Sequence, residues 1–520
     1  MAGTSAPRRF RAAVFERAAR WLHGRGEFSP DMMEEEPVAD MVRETYRIIR
    51  KAMDKGVADN VIPAAMARKL DNSAFLFSGF KTAQELKEAS LLLREKDGTV
   101  KGFSRFLTDI RRIDANYNVR YLEAEYNFAV SSAQMAASWA EVSQDGDRYD
   151  LQYRTAGDDH VREEHRALNG VTLPPSNDFW RYYYPPNGWN CRCTAVQVLK
   201  GKYPTSDDKQ AIQAGDRMTD TPKKRIFRFN PGIDGQLFPP KHPYYKLSKE
   251  AAGQVKKAVG KMAQANRIEE MIAEMPDNLT AEEKRALAVH NIKLEEALGI
   301  TKGKPMTVEQ ADRQSANPCY VPEFIPDPKG NYQDNQGNKY RRNPAYKPED
   351  EQYHINCQTC VPAYALRLKG FDVTAKGNTI GSKLDYLSDG ANAWEVWKNI
   401  DGTPAQYTSV NTWLVKKGYK QMSEKRYMQF FQEACSEEGI YEIAIYWKNG
   451  GGHATVLQRF ADGELRRIEP QIDNQKGSGR EWNNLEYLCK RGRTTTYNAS
   501  GVMRIDNKLF NIDFIDIFDK

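Results

Sequence analysis

Long apolar runs are missing from this chain of 520 residues, since none approaches the roughly 18 residues that cross a bilayer. We therefore expect no transmembrane segment. Cysteine is scarce, and seven cysteines in loose and paired positions argue against a disulfide-rich secreted fold. Neither charge sign dominates, since the net charge is only +6. At this length, such a charge does not by itself require a nucleic-acid partner.

What remains is the composition of a folded, soluble protein, with 40 % hydrophobic and 28 % charged residues. The length allows roughly two to four domains, each with its own core. Residues 1–35 are rich in arginine but lack the apolar block of a secretory signal. They resemble an amphipathic targeting or docking helix, but our preferred interpretation is a flexible basic arm that docks on a larger assembly.

Helical spacing and turn residues divide the rest of the chain. Residues 36–200 are predicted to be mainly α-helical, with a small loop-rich module from about 151 onward. Residues 201–305 are predicted to be a loop and helical connector, with Thr280 and Glu283 as a capping box and Gly299 at the helix end. Residues 306–520 mix helices and strands, which predicts an α+β domain.

The loop-rich module contains a candidate metal site made of Asp158, His165, Cys191 and Cys193. Thiolates and an imidazole are preferred zinc ligands, and one carboxylate would complete a tetrahedral set. The pattern therefore allows a structural zinc ion. Two alternatives stay open: the cysteines are simply buried beside His165, or Asp158 and His165 form a hydrolytic pair.

The segments TAGDDHVREEHRALNG and FWRYYYPPNGWNCRC resemble the signature of the phage Mu protein F-like minor head proteins, the head-morphogenesis family. The matching positions are Thr155, Asp158, His165, Leu168, Gly170, Pro185, Pro186, Cys191, Arg192 and Cys193. The resemblance covers roughly residues 40–200. It implies a protein made in the bacterial host cytoplasm and placed in the virion head near the portal. The implied partners are the portal, the major capsid protein and, during packaging or ejection, DNA.

The stretch HINCQTCVPAYALRLKG brings Cys357 and Cys360 to the start of a predicted helix. A zinc half-site lacks a second ligand pair downstream, and a thioredoxin-like site lacks the preceding buried strand. A helix N-terminus favours a thiolate, so one of these cysteines is a candidate nucleophile. Cys357, next to the predicted N-cap Asn356, is the first choice and Cys360 the alternative.

A nucleophilic thiol needs an imidazole, and only His453 follows this helix in the sequence. The segment around it predicts a strand, a glycine turn and then a hairpin closed at Asp462 and Gly463. Glu469 lies on the second arm of that hairpin, close to His453, and could hold the imidazole tautomer. A structural role for His453 or an exposed position for Glu469 are the alternatives.

The order of cysteine helix, histidine strand and acidic strand resembles the papain-like fold, and more closely the papain-fold toxin domains of phage-borne effectors. Asn356, Cys357, Cys360, Gly452, His453, Pro470 and Gln471 match, whereas Glu469 replaces the aspartate that is usual there. The resemblance implies a cysteine peptidase or a protein-glutamine deamidase that requires no cofactor and acts on a protein substrate. Gln358 and Gln471 are candidate supporting residues, with Gln358 as a possible oxyanion donor.

The sequence thus predicts a minor head protein with a papain-like thiol enzyme at its C-terminal end. Two alternatives remain open. The C-terminal domain could be an inactive binding module of a structural head protein, or the chain could be a toxin that uses the head-protein part for delivery.

Overall fold

The computed structural model describes residues 9–58, 62–142, 146–333, 337–472, 485–495 and 497–519. The chain forms two compact units, residues 1–267 and 268–520. Within the described residues, no helix combines the length and the apolar character needed to cross a bilayer.

The first unit is mainly helical. Its α-helices are α1 Ala12–Arg25, α2 Glu36–Val57, α3 Ala64–Ser90, α4 Phe103–Asp114, α5 Leu122–Val142, α6 Glu163–Arg166, α7 Phe179–Tyr183, α8 Asp208–Met218, α9 Pro222–Arg225, α10 Pro231–Asp234 and α11 Lys249–Ala273, the last of which includes the unit boundary. Its strands are β1 Tyr149–Arg154, β2 Thr172–Leu173 and β3 Thr194–Leu199, which form an antiparallel sheet in the order β2-β1-β3.

Apolar spacing explains the helices of this unit. The apolar side chains of α2, among them Val38, Met41, Val42 and Ile49, are buried in the core, as expected for an amphipathic helix. The uninterrupted stretch after Gly102 forms α4 and α5, joined by a π-helical segment Ala115–Tyr121. Tyr117, Tyr126 and Phe128 are buried as core residues, whereas Tyr121 is exposed.

The prediction of a flexible arm for residues 1–35 is wrong for the part that the structure describes. Residues 12–25 form α1, and Val14, Phe15, Ala18 and Leu22 bury one face of it in the helical core. Burial of this apolar face contributes more favourable free energy than the loss of conformational entropy costs. Residues 1–8 of the predicted arm lie outside the described residues.

The predicted connector 201–305 divides between the two units. Phe227, Phe229 and Phe238 are buried in the helical core of the first unit. Leu294 and Leu298, in the helix that Thr280 caps, belong instead to a core of the second unit. The segment is not a separate linker, because its apolar side chains contribute to these two cores. The predicted capping box of Thr280 and Glu283 is confirmed, and Gly299 ends the helix with a φ of 68°.

The second unit combines short helices with antiparallel sheets. Its α-helices are α12 Ala281–Leu298, α13 Val308–Ala311, α14 Arg313–Ala316, α15 Cys357–Leu368, α16 Lys383–Leu387, α17 Val410–Lys417, α18 Glu424–Ala434 and α19 Leu485–Arg491. Its strands are β4 Phe324–Pro326, β5 Tyr332–Gln333, β6 Lys339–Arg342, β7 Thr374–Ala375, β8 Trp397–Lys398, β9 Thr408–Ser409, β10 Gly439–Tyr446, β11 Gly452–Arg459, β12 Leu465–Ile468, β13 Gly501–Arg504, β14 Leu509–Phe510 and β15 Phe518–Asp519.

The main sheet of this unit has the order β12-β11-β10-β13-β9. Alternating residues of β10 point to opposite faces, as the period of a strand requires. Ile443 and Ile445 join a core formed with α17 and α18, whereas Ala444 joins the core that contains α15. Helix α15 packs against β11, and this places the start of the helix beside the sheet. The α+β prediction agrees with this architecture.

Candidate functional site

Cys357 is the first residue of α15 and its side chain is partly exposed. The backbone N–H groups of a first helical turn have no partners within the helix, so this position favours a negative charge on sulfur. Cys360, one turn later, is fully buried, and its thiol donates to Asn356 Oδ1 at 3.4 Å. Burial raises the pKa of Cys360 well above its usual range. Of the two predicted nucleophiles, Cys357 is therefore the accessible one.

His453 lies near the start of β11, next to both Cys357 and Glu469. Its Nε2 lies 2.8 Å from Glu469 Oε2. Burial alone would lower the pKa of the imidazole, but the Glu469 carboxylate and contact with the Cys357 thiol outweigh it and raise the pKa to about 9. The indole of Trp447 lies nearly parallel to the imidazole, with ring centres 6.3 Å apart. The imidazole is thus held in place and favours the protonated form at neutral pH.

Glu469 is a fully buried carboxylate with three partners. Burial alone would raise its pKa, but His453, Arg467 and the backbone N–H of Gln471 together lower it. The N–H of Gln471 donates to Oε1 at 3.1 Å, and Arg467 donates to Oε2. Arg467 is itself buried, so the pair compensates two charges that are both removed from water.

Buried amides join this trio to the helix start. Asn356 accepts a hydrogen bond from Gln471 Nε2 at 3.1 Å and donates to the backbone oxygen of Lys376 at 3.0 Å. Asn317 Nδ2 donates to the backbone oxygen of Gln471 at 3.0 Å. These bonds connect Gln471, two residues after Glu469, to Asn356, the residue before Cys357. Asn356 occupies the predicted N-cap position, but its side chain makes no capping bond to the helix.

The structure therefore brings together Cys357, His453 and Glu469, with Gln471 beside them. Gln358 is buried in the first turn of α15, and its Oε1 has no hydrogen-bond partner among the described residues. Sequence reasoning missed Arg467 and Asn317. Arg467 could have been found from its spacing, since residues two apart on a strand share a face. Asn317 carried no such signal, because it is far from the trio in sequence.

A second cluster lies in the first unit, where His165, Cys191 and Cys193 are all buried. His165 Nδ1 is 3.7 Å from Cys191 Sγ and 3.5 Å from Cys193 Sγ. The three potential ligand atoms lie within 4.8 Å of one another. A hydrogen bond with Cys193, opposed by burial and aided by His165, lowers the pKa of Cys191, whereas the same bond and burial raise the pKa of Cys193.

The local fold explains why these side chains meet. Cys193 directly precedes β3, and Cys191 is two residues earlier, so both point to the same side while Arg192 is exposed. His165 comes from the short helix α6. Gly170 then adopts a φ of 84°, and its N–H donates to the backbone oxygen of Tyr153 on β1. This turn returns the chain from α6 to the sheet.

Asp158 does not join this cluster, which corrects its predicted role as the fourth ligand. It lies in a turn before α6 rather than on a helix with His165. Its carboxylate forms a two-point ion pair with Arg192, at 2.5 and 2.7 Å. Hydrogen bonding to Arg192 lowers the pKa of Asp158 to about 2. The carboxylate therefore fastens the turn to the Cys191–Cys193 segment.

The family match to known proteins lies in the first unit. Residues 95–196 match the family described as Phage Mu protein F like protein, so the resemblance expected for about 40–200 is confirmed there. The chain is 37 % identical over 75 residues to capsid assembly protein F of Escherichia phage Mu. This alignment covers 14 % of the chain and 17 % of the phage Mu protein. No solved structure matches the chain.

The contact between Cys357 and His453 predicts selective alkylation. At about pH 6.5, iodoacetamide should modify Cys357 faster than Cys319, although Cys319 is the more exposed thiol. The reason is that an imidazole with a pKa of about 9 is protonated at this pH and places a positive charge beside the Cys357 sulfur. Mass spectrometry of tryptic peptides after short exposure measures both rates. The His453→Gln variant should lose the difference, and equal rates in the unaltered protein would contradict an activated Cys357.

Proposed function

We propose that this chain is a phage head protein whose second unit is a papain-like thiol enzyme. The match of residues 95–196 to the Mu protein F-like family supports the first part. The similarity to a phage Mu protein named for capsid assembly points the same way. On this proposal the chain resides in the virion head near the portal, and its partners are the portal and the major capsid protein.

The observation that carries the enzymatic part is the contiguous set of Cys357, His453 and Glu469. A partly exposed thiol at a helix start meets an imidazole, and a buried carboxylate holds the opposite side of that imidazole. These are the three roles of a nucleophile, a general base and an orienting group. Since Glu469 occupies Nε2, Nδ1 is the nitrogen that remains to exchange a proton with Cys357.

The chemistry that this set supports is acyl transfer from an amide. The Cys357 thiolate attacks the carbonyl carbon and forms the S–C bond, while N–H groups at the start of α15 stabilise the oxyanion. The C–N bond then breaks as the His453 imidazolium gives its proton to the departing nitrogen. Water next attacks the thioester, His453 takes its proton, and the C–S bond breaks to restore the thiolate.

Two substrates fit this sequence of steps. If the amide is a peptide bond, the departing group is a new N-terminal amine, and the enzyme is a peptidase. If the amide is a glutamine side chain, the departing group is ammonia, and the enzyme is a deamidase. The alternatives of an inactive binding module and of a toxin delivered by the head-protein part differ from the proposal in measurable ways.

The enzymatic proposal predicts that the full-length protein acts on a mixture of bacterial proteins. Peptidase activity should produce new N-termini, and deamidase activity should release ammonia and convert glutamine to glutamate in the products. The Cys357→Ser variant should abolish either activity, because serine is a far weaker nucleophile beside an imidazolium. Cys435→Ser is the matched control, since Cys435 is buried in the other core of the same unit. Equal product in the Cys357→Ser variant, or none in the unaltered protein, would favour an inactive module.

The pKa of His453 predicts the alkaline limit of that activity. The imidazole holds the proton that the departing nitrogen needs only below its own pKa, so kcat/KM should fall as the pH rises through about 9. Glu469→Gln removes a negative charge that raises this pKa. In this variant the alkaline limit should move to lower pH, and kcat/KM should fall by about 10-fold or more. An unchanged limit would show that Glu469 does not act on the imidazole.

The head-protein proposal predicts that the chain is a virion component. Antibodies against the second unit should detect the full chain in purified, nuclease-treated particles of the phage that encodes it. Disrupting the gene should reduce the yield of filled heads, and the Cys357→Ser variant should restore head assembly. Its detection only in host lysate, with normal heads formed in its absence, would instead favour a toxin.

A further inference from the structure

We propose that His165, Cys191 and Cys193 bind one zinc ion that keeps its fourth coordination position open to solvent or a small anion. The inference concerns the first unit and does not depend on the thiol enzyme. It also differs from a closed four-ligand site, because Asp158 is committed to Arg192.

The distances agree with a shared tetrahedral ion. Typical Zn–S and Zn–N bonds of about 2.3 and 2.0 Å at a tetrahedral angle separate sulfur and nitrogen by about 3.5 Å. The two sulfurs lie 3.7 and 3.5 Å from His165 Nδ1. An imidazole nitrogen has one lone pair or one proton, so it can serve one thiol well as a hydrogen-bond partner. A cation between the three atoms contacts all of them.

Charge favours zinc at this buried position. On binding, Cys191 and Cys193 release their protons to solvent. The negative charge of the two thiolates, beside a neutral imidazole, then balances the positive charge of the dication. The resulting centre is electrically neutral, which lowers the cost of burial compared with an unpaired thiolate. Soft sulfur donors with one imidazole select zinc over magnesium or calcium.

The open position follows from the cavity beside the three ligands. A cavity of about 280 Å³ is lined by all three and also by His160, Arg162 and Arg192. Among the residues that the structure describes, no acidic side chain lines it, and His160 and both arginines are exposed. The missing fourth ligand therefore faces a space that is reachable from solvent and suited to water or a small anion. Zinc-bound water in such an open site has a lowered pKa.

Metal content of the full-length protein tests the ligand set. Purified protein should contain one zinc per chain, and the Cys191→Ser/Cys193→Ser variant should lose it. The matched control is Cys435→Ser/Cys489→Ser, which changes two buried cysteines of the second unit and should retain zinc. Asp158→Asn should also retain it. In the unaltered protein, chelation should expose Cys191 and Cys193 to alkylation, a readout that needs no folded variant.

Cobalt substitution tests the open position. The cobalt protein should show thiolate charge-transfer and tetrahedral d–d bands, and added azide should shift the d–d bands. His160→Ala should show the same response, because His160 is not required as a ligand. Absence of stoichiometric metal, its retention in the Cys191→Ser/Cys193→Ser variant, or its loss in Asp158→Asn would overturn the proposal. Bands that azide does not change would do so as well, since they indicate a closed site.

Discussion

The burial of the Glu469 carboxylate is the constraint on which the candidate active site depends. A carboxylate without solvent must be paired, because the cost of leaving it uncompensated is several kcal/mol. Arg467, His453 and the N–H of Gln471 provide that compensation, and each comes from the hairpin or the segment that follows it. Through Gln471 and Asn356 the same hydrogen-bond network reaches the start of α15. The groups that compensate the Glu469 carboxylate therefore also fix the position of Cys357 relative to His453.

The first unit meets a comparable constraint with different groups. Its two buried thiols belong to a small, largely apolar core that includes Trp180 and Tyr184, and the buried His165 contacts both thiols. Outside that core, Asp158 and Arg192 form an ion pair at the surface and fasten the turn before the helix of His165 to the segment of the two cysteines. In both clusters, the buried ionisable side chains lie against neighbours that can compensate them. The two clusters offer different chemistry, nucleophilic in one unit and metal-ligating in the other.

Local patterns allowed much of this arrangement to be predicted. Helical spacing identified α2, and the capping box of Thr280 located the start of α12 to the residue. The hairpin was predicted from its glycines and alternating apolar residues, and its register brings Glu469 beside His453. Asn356 occupies the N-cap position as predicted, but its amide bonds to long-range partners instead of the first helical turn, which no local pattern indicates. Residues 12–25 form a packed helix rather than a flexible arm, because their apolar face is buried in the helical core.

The sequence by itself determined the residue types of both sites, the helix start at Cys357, the hairpin of His453 and Glu469, and the likeness of residues 95–196 to the Mu protein F-like family. These depend on short spacings, which the covalent chain fixes. Only the tertiary structure decided that Cys360 is buried while Cys357 is accessible, that Arg467 and Asn317 belong to the site, and that Asp158 pairs with Arg192. Those outcomes depend on which distant segments share a core, and burial and charge compensation are properties of the packed chain rather than of any local stretch.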